Sequence, residues 1–186
     1  MRVAEGRNAE PTAGIVNAQS IRGADTVGKD SRGYDAGKKI NGRKRNIVVD
    51  TIGMLLIAVV TTANVQDRHG GNRVIAQLHK IMPSVSCIWA DGGYAGLLVR
   101  WARMATTIAI EIVRKPDGLK TFEVLSRRWV VERTFALLMR WRPLRCDYER
   151  STATSEAMMK WAMVGLMARR LARSSGRQPW SDRRAA

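Results

Sequence analysis

Residues 46–62, NIVVDTIGMLLIAVVTT, decide how this chain folds. Residues 46–52 are β-branched, Gly53 supplies a turn, and residues 54–62 are more continuously apolar, as a strand covered on both faces would be. A hairpin of two strands is therefore predicted. Upstream, residues 15–21 alternate loosely and close on Arg22-Gly23, which predicts a further short strand. Between strand and hairpin, residues 22–45 hold eight basic and three acidic residues with little periodicity. They read as a long, positively charged loop.

Downstream the period changes. Residues 66–81 have helical spacing, with Val74, Leu78 and Ile81 on one face and Pro83 beyond the end. Residues 84–90 (SVSCIWA) read as a buried strand, 97–104 as a helix, 107–113 (TIAIEIV) as an alternating strand, and 127–141 and 154–173 as two apolar helices. Residues 1–12 and 174–186 read as a loose tail and a frayed basic tail, leaving 13–173 as one domain. Three antiparallel strands followed by alternating helices and strands predict the α/β class, a mixed five-stranded sheet flanked by helices. That order matches the ribonuclease H-like topology; periodicity alone does not order the strands.

Composition narrows the function. The chain has 186 residues, with 32 Lys+Arg against 16 Asp+Glu and a net charge of +16. Such an excess points to a polyanionic partner: DNA, RNA or an anionic membrane surface. Hydrophobic residues at 45% exclude a disordered chain. Cys87 and Cys146 are too few for a disulfide scaffold and too far apart for a usual zinc spacing, which fits a reduced, cytoplasmic setting. Residues 1–14 contain no apolar core of a signal peptide. The longest apolar run, 54–60, falls short of the roughly 20 residues of a membrane span.

Two carboxylates stand out. Asp91 ends a buried strand and is followed by Gly92, Gly93 and Tyr94, a position that projects into the crevice where open α/β sheets bind ligands. Taken alone, an ordinary Asp-Gly turn explains it slightly better. Glu132, in RRWVVERTF, shares a helix face with Arg128, Phe135 and Met139; on so apolar a face a carboxylate needs a cation nearby. The plainer alternative is an exposed Arg128–Glu132 pair, worth about 0.3–0.5 kcal/mol. His69 and His79 are too isolated for a metal or acid–base site. The Met/Trp-rich last helix suits core or oligomer contact better than a cofactor. Lys38, Lys39, Arg43, Lys44 and Arg45 form a candidate phosphate-contacting patch.

The stretches AQSIRGADTVGKDSRGYDAGKKINGRKRNIVVDTIG, VTTANVQDR, WADGGYAG, RRWVVERTFALLMRWRPLRCDYER and SEAMMKWAMVGLMARRLAR resemble, in that order, bacterial insertion-sequence transposases of the DDE class. The resemblance implies a ribonuclease H-like catalytic domain that cleaves and joins DNA strands, and holds two divalent metals, Mg²⁺ or Mn²⁺, through three carboxylates. Two such ions activate the nucleophile and stabilise the leaving oxygen. By the resemblance, the second acid is Asp91, the glutamate is Glu132, and Arg128 is the arginine of a tyrosine–arginine–glutamate signature. Leu125 stands where the tyrosine would be and Met139 where a following lysine would be. Arg133 and Arg140, on one flank of the helix, supply basic character instead.

The departure from the pattern falls at the first acid, which is Asn17, just before Gln19-Ser20. An amide offers one oxygen without a charge and bridges two Mg²⁺ ions poorly. Asp50 on the next strand is a candidate replacement; Asp25, Asp30 and Asp35 are weaker ones. The chain also begins just before this strand. The expectation is a truncated, impaired transposase domain acting on DNA, with homo-oligomers on DNA and a nucleoid-associated location. The alternatives are an inactive DNA-binding remnant and a basic RNA-associated protein.

Overall fold

The computed structural model describes residues 1–113 and 128–174. The described residues hold six strands, one more than the five predicted because β2 forms within the basic stretch: β1 (Ala13–Arg22), β2 (Gly33–Asp35), β3 (Ile40–Asp50), β4 (Leu55–Thr62), β5 (Cys87–Ala90) and β6 (Ala109–Ile112). Four helices accompany them: α1 (Asp67–Ile81), α2 (Leu97–Ala105), α3 (Arg128–Leu138) and α4 (Thr152–Ser174). The order across the sheet is β2, β3, β1, β5, β6, with β4 also paired to β3. β3 runs antiparallel to β1, β2 and β4, whereas β1–β5 and β5–β6 are parallel. This mixed sheet flanked by helices is a ribonuclease H-like fold.

The deciding hairpin forms as its residues dictate. Ile47, Val48 and Val49 are fully buried because β3 lies between neighbours and is covered on both faces. Gly53 makes the turn at a φ of 83°, a left-handed conformation that glycine adopts without steric cost. Alternation then divides the core. Val16, Val48, Val59 and Ile88 pack with Val74 and Leu78 of α1 on one face. Ile15, Ile47 and Val49 pack with Phe135 of α3 and Met159 and Met163 of α4 on the other.

The basic stretch 22–45 is not one long loop. It contains β2 and the first half of β3, so that β3 begins six residues before the predicted strand. The reason is internal neutralisation. Arg43 Nη1 lies 3.2 Å from Asp147 Oδ1 with both side chains fully buried, and Lys44 Nζ lies 2.8 Å from Asp67 and 3.4 Å from Asp35. Residues 1–12 also depart from a loose tail: Val3–Glu5 makes a 3-10 turn and the Arg2 guanidinium ion-pairs with Asp50. The helix predicted over 127–141 is shorter at its far end, α3 stopping at Leu138 before a 3-10 turn at Arg142–Leu144. Leu125, Arg127 and the predicted tail from 175 lie outside the described residues.

Candidate active site and nucleic-acid surface

The parallel pairing of β1 with β5 sets the site. Gly14 lies beside Ile88 and Ile15 beside Trp89; continuing that register brings Asp91 level with Asn17. Side chains alternate across a strand, so Asn17 shares a face with Ile15, and Asp91 with Trp89. Both Ile15 and Trp89 pack on the α3–α4 side. Asn17 and Asp91 therefore lie on the face of the sheet that α3, the helix of Glu132, covers, at the C-terminal end of β5, where such sheets bind ligands.

Arg128 joins the two acids. Its Nη2 is 3.5 Å from Asp91 Oδ2 and 3.5 Å from Glu132 Oε1. Asp91 caps the 3-10 turn Gly92–Tyr94, its Oδ1 accepting the Gly93 amide at 2.8 Å. Asp91 thus makes the Asp-Gly turn that its sequence allows, at the end of β5. Glu132 differs from expectation: its side chain is 55% exposed at the rim, so the apolar face of α3 does not enclose it. One turn of helix brings Arg128 beside it, and open water solvates the remainder.

Beyond Ile15, β1 runs past the end of β5 and borders a cleft of about 400 Å³ lined by Ala18, Gln19, Ser20, Lys38, Glu132 and Phe135, among others. Gln19 Oε1 has no hydrogen-bond partner among the described residues. Asn17 Oδ1 accepts the amide of Ala18 at 2.8 Å.

Asp50 is not a replacement ligand. It lies three residues along β3 from Ile47, the partner of Asn17, and so points to the opposite face. It is fully buried, accepts the amides of Ile52 and Met54 at 3.0 and 2.7 Å, and holds Arg2. Asp25 and Asp30 are exposed on the segment between β1 and β2. Asp35 accepts the Ser20 hydroxyl at 2.5 Å. That hydroxyl, first, and the Lys38 amide and Lys44 ammonium hold its carboxyl down at about 2, against the opposing effect of burial.

The donors present do not fit a centre that holds two metals through three carboxylates. Two acids face each other with a guanidinium between them, and the third position carries a neutral amide already bonded to its own backbone. Among the described residues no group of three His, Cys, Asp or Glu is placed to hold a metal ion.

A family model described as "Transposase DDE domain" matches residues 8–167. The chain belongs to the transposase DDE domain family. No curated protein matches the chain. Transposase membership implies a DNA substrate and a transposition-related nuclease chemistry for the family.

The basic residues of this transposase domain divide sharply. Lys38 and Lys39 are exposed. Arg43, Lys44 and Arg45 are buried and face inward, which removes them from the predicted phosphate-contacting patch. Besides Asp147, Arg43 donates to the carbonyls of Ser31, Glu149, Ser151 and Arg150. Arg45 donates to the Leu144 carbonyl at 2.8 Å. Arg133 and Arg140 are exposed, Arg133 stacking 4.3 Å above the Trp129 ring. Sequence reasoning passed over Asp147, whose carboxylate also accepts the Ser155 hydroxyl at 2.7 Å and the Glu149 amide at 3.1 Å. Only its place in the CDYER stretch hinted at it. No helix among the described residues is long and apolar enough to cross a membrane.

Proposed function

We propose that this chain is a transposase domain that binds duplex DNA through backbone phosphates, with Asp91 and Glu132 as its acid pair and little cleavage or strand-transfer activity of its own. The observation that carries the reading is Asn17. It stands level with Asp91 and on the side of Glu132, yet it brings no charge to a centre whose chemistry needs a third carboxylate. Arg128 supports the same reading, since a guanidinium shared by both acids already supplies the positive charge they require. Lys38, Lys39, Arg133 and Arg140 are exposed cations available to phosphates. A homo-oligomer on DNA belongs to the same proposal. The inactive DNA-binding remnant is its limiting case, and the neutral amide at position 17 favours it over a fully active enzyme.

Asn17→Asp restores the missing charge almost isosterically, so the fold should be unchanged. Calorimetric titration of wild type and variant with Mg²⁺ and Mn²⁺ is expected to show tighter binding in the variant, because inner-shell carboxylates supply most of the affinity for hard cations. Equal affinities would overturn the assignment of Asn17 to the acid centre. Nicking of a labelled duplex is expected to stay near background in the wild type.

A further inference from the structure

At the far end of α3 from Arg128, α3 and α4 enclose a cleft of about 150 Å³ lined by Leu137, Arg140, Leu166, Arg169, Arg170 and Arg173. Four guanidinium groups and two leucines form its walls, with no acid among the described residues that line it. Among the described residues, none of the four arginines pairs with a carboxylate.

The cleft is built rather than incidental. Gly165 on α4 has no side chain where Trp141 lies; a Cβ there would sit 2.5 Å from the Trp141 ring. The indole therefore rests on the helix and carries Arg169, whose guanidinium is 5.8 Å from the ring centroid. Arg170 is tied by Nη1 to the carbonyl of Ile52 at 3.2 Å. Two of the four cations are thus positioned by the scaffold. Arg140 and Arg173 are exposed and free to close on a ligand. Arg133, one helix turn before Leu137, adds to the like-charge crowding: burial first, and then the charge of Arg170, pull its guanidinium below the ordinary value.

Like charges gathered around one cleft repel, and a bound anion converts that repulsion into attraction. Planar guanidinium forks match the oxygens of a phosphate two at a time. The geometry points to a phosphate site: the Arg140–Arg169–Arg170–Arg173 cleft takes a backbone phosphate of a DNA strand, apart from the Asp91–Glu132 acids. This rests on the DNA-binding reading above. Glu132 and Leu137, which lines the cleft, are separated by roughly 7.5 Å at the rise of a helix, so a strand following α3 meets the acids and the cleft in turn.

The test compares the full wild-type chain with Arg140→Gln/Arg173→Gln, which removes the two exposed cations whose side chains have no hydrogen-bond or ion-pair partner among the described residues. A charge-matched control, Arg68→Gln/Arg73→Gln, changes exposed residues of α1. Binding of a labelled duplex is followed across a salt titration. Each phosphate contact contributes about 0.9 to the slope of log affinity against log salt, so the cleft variant should lose about two units and the control less than one. Equal slopes in the two variants would overturn the site. Inorganic phosphate at fixed ionic strength should raise the Tm of wild type and control but not of the cleft variant. A wild-type Tm that ignores phosphate, or equal shifts in all three proteins, would also overturn it. A wild type that fails to bind duplex yet gains Tm with phosphate sinks the DNA reading and leaves the cleft standing as an oxyanion site.

Discussion

Arg43, Lys44 and Arg45 stand on the central strand β3 and are buried, whereas Arg140, Arg169 and Arg173 stand where α3 and α4 end and are exposed. The two groups are alike in composition and opposite in fate. Burying a charge is costly unless a partner and hydrogen bonds meet it, so β3 recruits Asp147, Asp35, Asp67 and a ring of carbonyls. Among the described residues, the helix ends recruit no acid. Net charge is therefore a poor measure of charge on offer: some of the cations are spoken for inside the fold, while four others gather around one cleft where α3 meets α4.

The largest effect expected from this contrast is at Arg43. Arg43→Met leaves Asp147 buried with its charge unmet, and removing one partner of a buried pair costs about 3–5 kcal/mol. Urea unfolding should show a clear loss of stability. Arg140→Gln, on the exposed side, should stay within about 0.5 kcal/mol of wild type. Similar midpoints for the two variants would erase the distinction.

An intermediate effect is expected at Asp35, which joins the buried group to the sheet edge. Its carboxyl is held at about 2 in the fold against an ordinary 3.8, through the Ser20 hydroxyl first and the lysines after it. A depressed acid stabilises the fold while it is charged. Its contribution is complete above the ordinary value and fades as the pH falls from there toward about 2. Asp35→Asn should be less stable than wild type at neutral pH, and the gap should close over that acid window. A gap that persists unchanged down to pH 2 would show that the hydrogen bonds, not the charge, carry the effect.

The smallest effect is expected at Lys38 and Lys39. Lys38→Ala/Lys39→Ala should leave stability unchanged and reduce the salt slope of DNA binding by at most about two. A marked loss of stability would place these lysines with the buried group.

Much of this was legible in the residues. NIVVDTI, Gly53 and MLLIAVVTT specify the hairpin through β-branching, a turn glycine and continuous apolarity, and the structure follows them. Asp91 at a strand end and Glu132 four residues after Arg128 were likewise readable by spacing, and Arg128 brings the pair together. The stretch from Gly42 to Arg45 was not readable. A run of glycine and basic residues carries the local signature of a solvated loop, and the acid that makes it a core strand, Asp147, lies 104 residues beyond Arg43. Local pattern has no access to a neutralising partner at that separation. The exposure of Glu132 was hidden for a related reason: helical periodicity tells which residues share a face, but not where the covering layer ends.

Position 17 is shaped so that an aspartate would fit it unchanged. Its Oδ1 accepts the Ala18 amide at 2.8 Å, a bond that a carboxylate oxygen accepts equally well, and Ile47 across the ladder asks nothing of the side chain's charge. In the genetic code asparagine and aspartate differ by one base at the first codon position. On the proposed reading, the domain stands a single point mutation from a complete set of acids, with no second change needed in the strand around it. Silencing and recovery are then equally short steps for the gene, while the folded, DNA-holding scaffold is inherited intact through both.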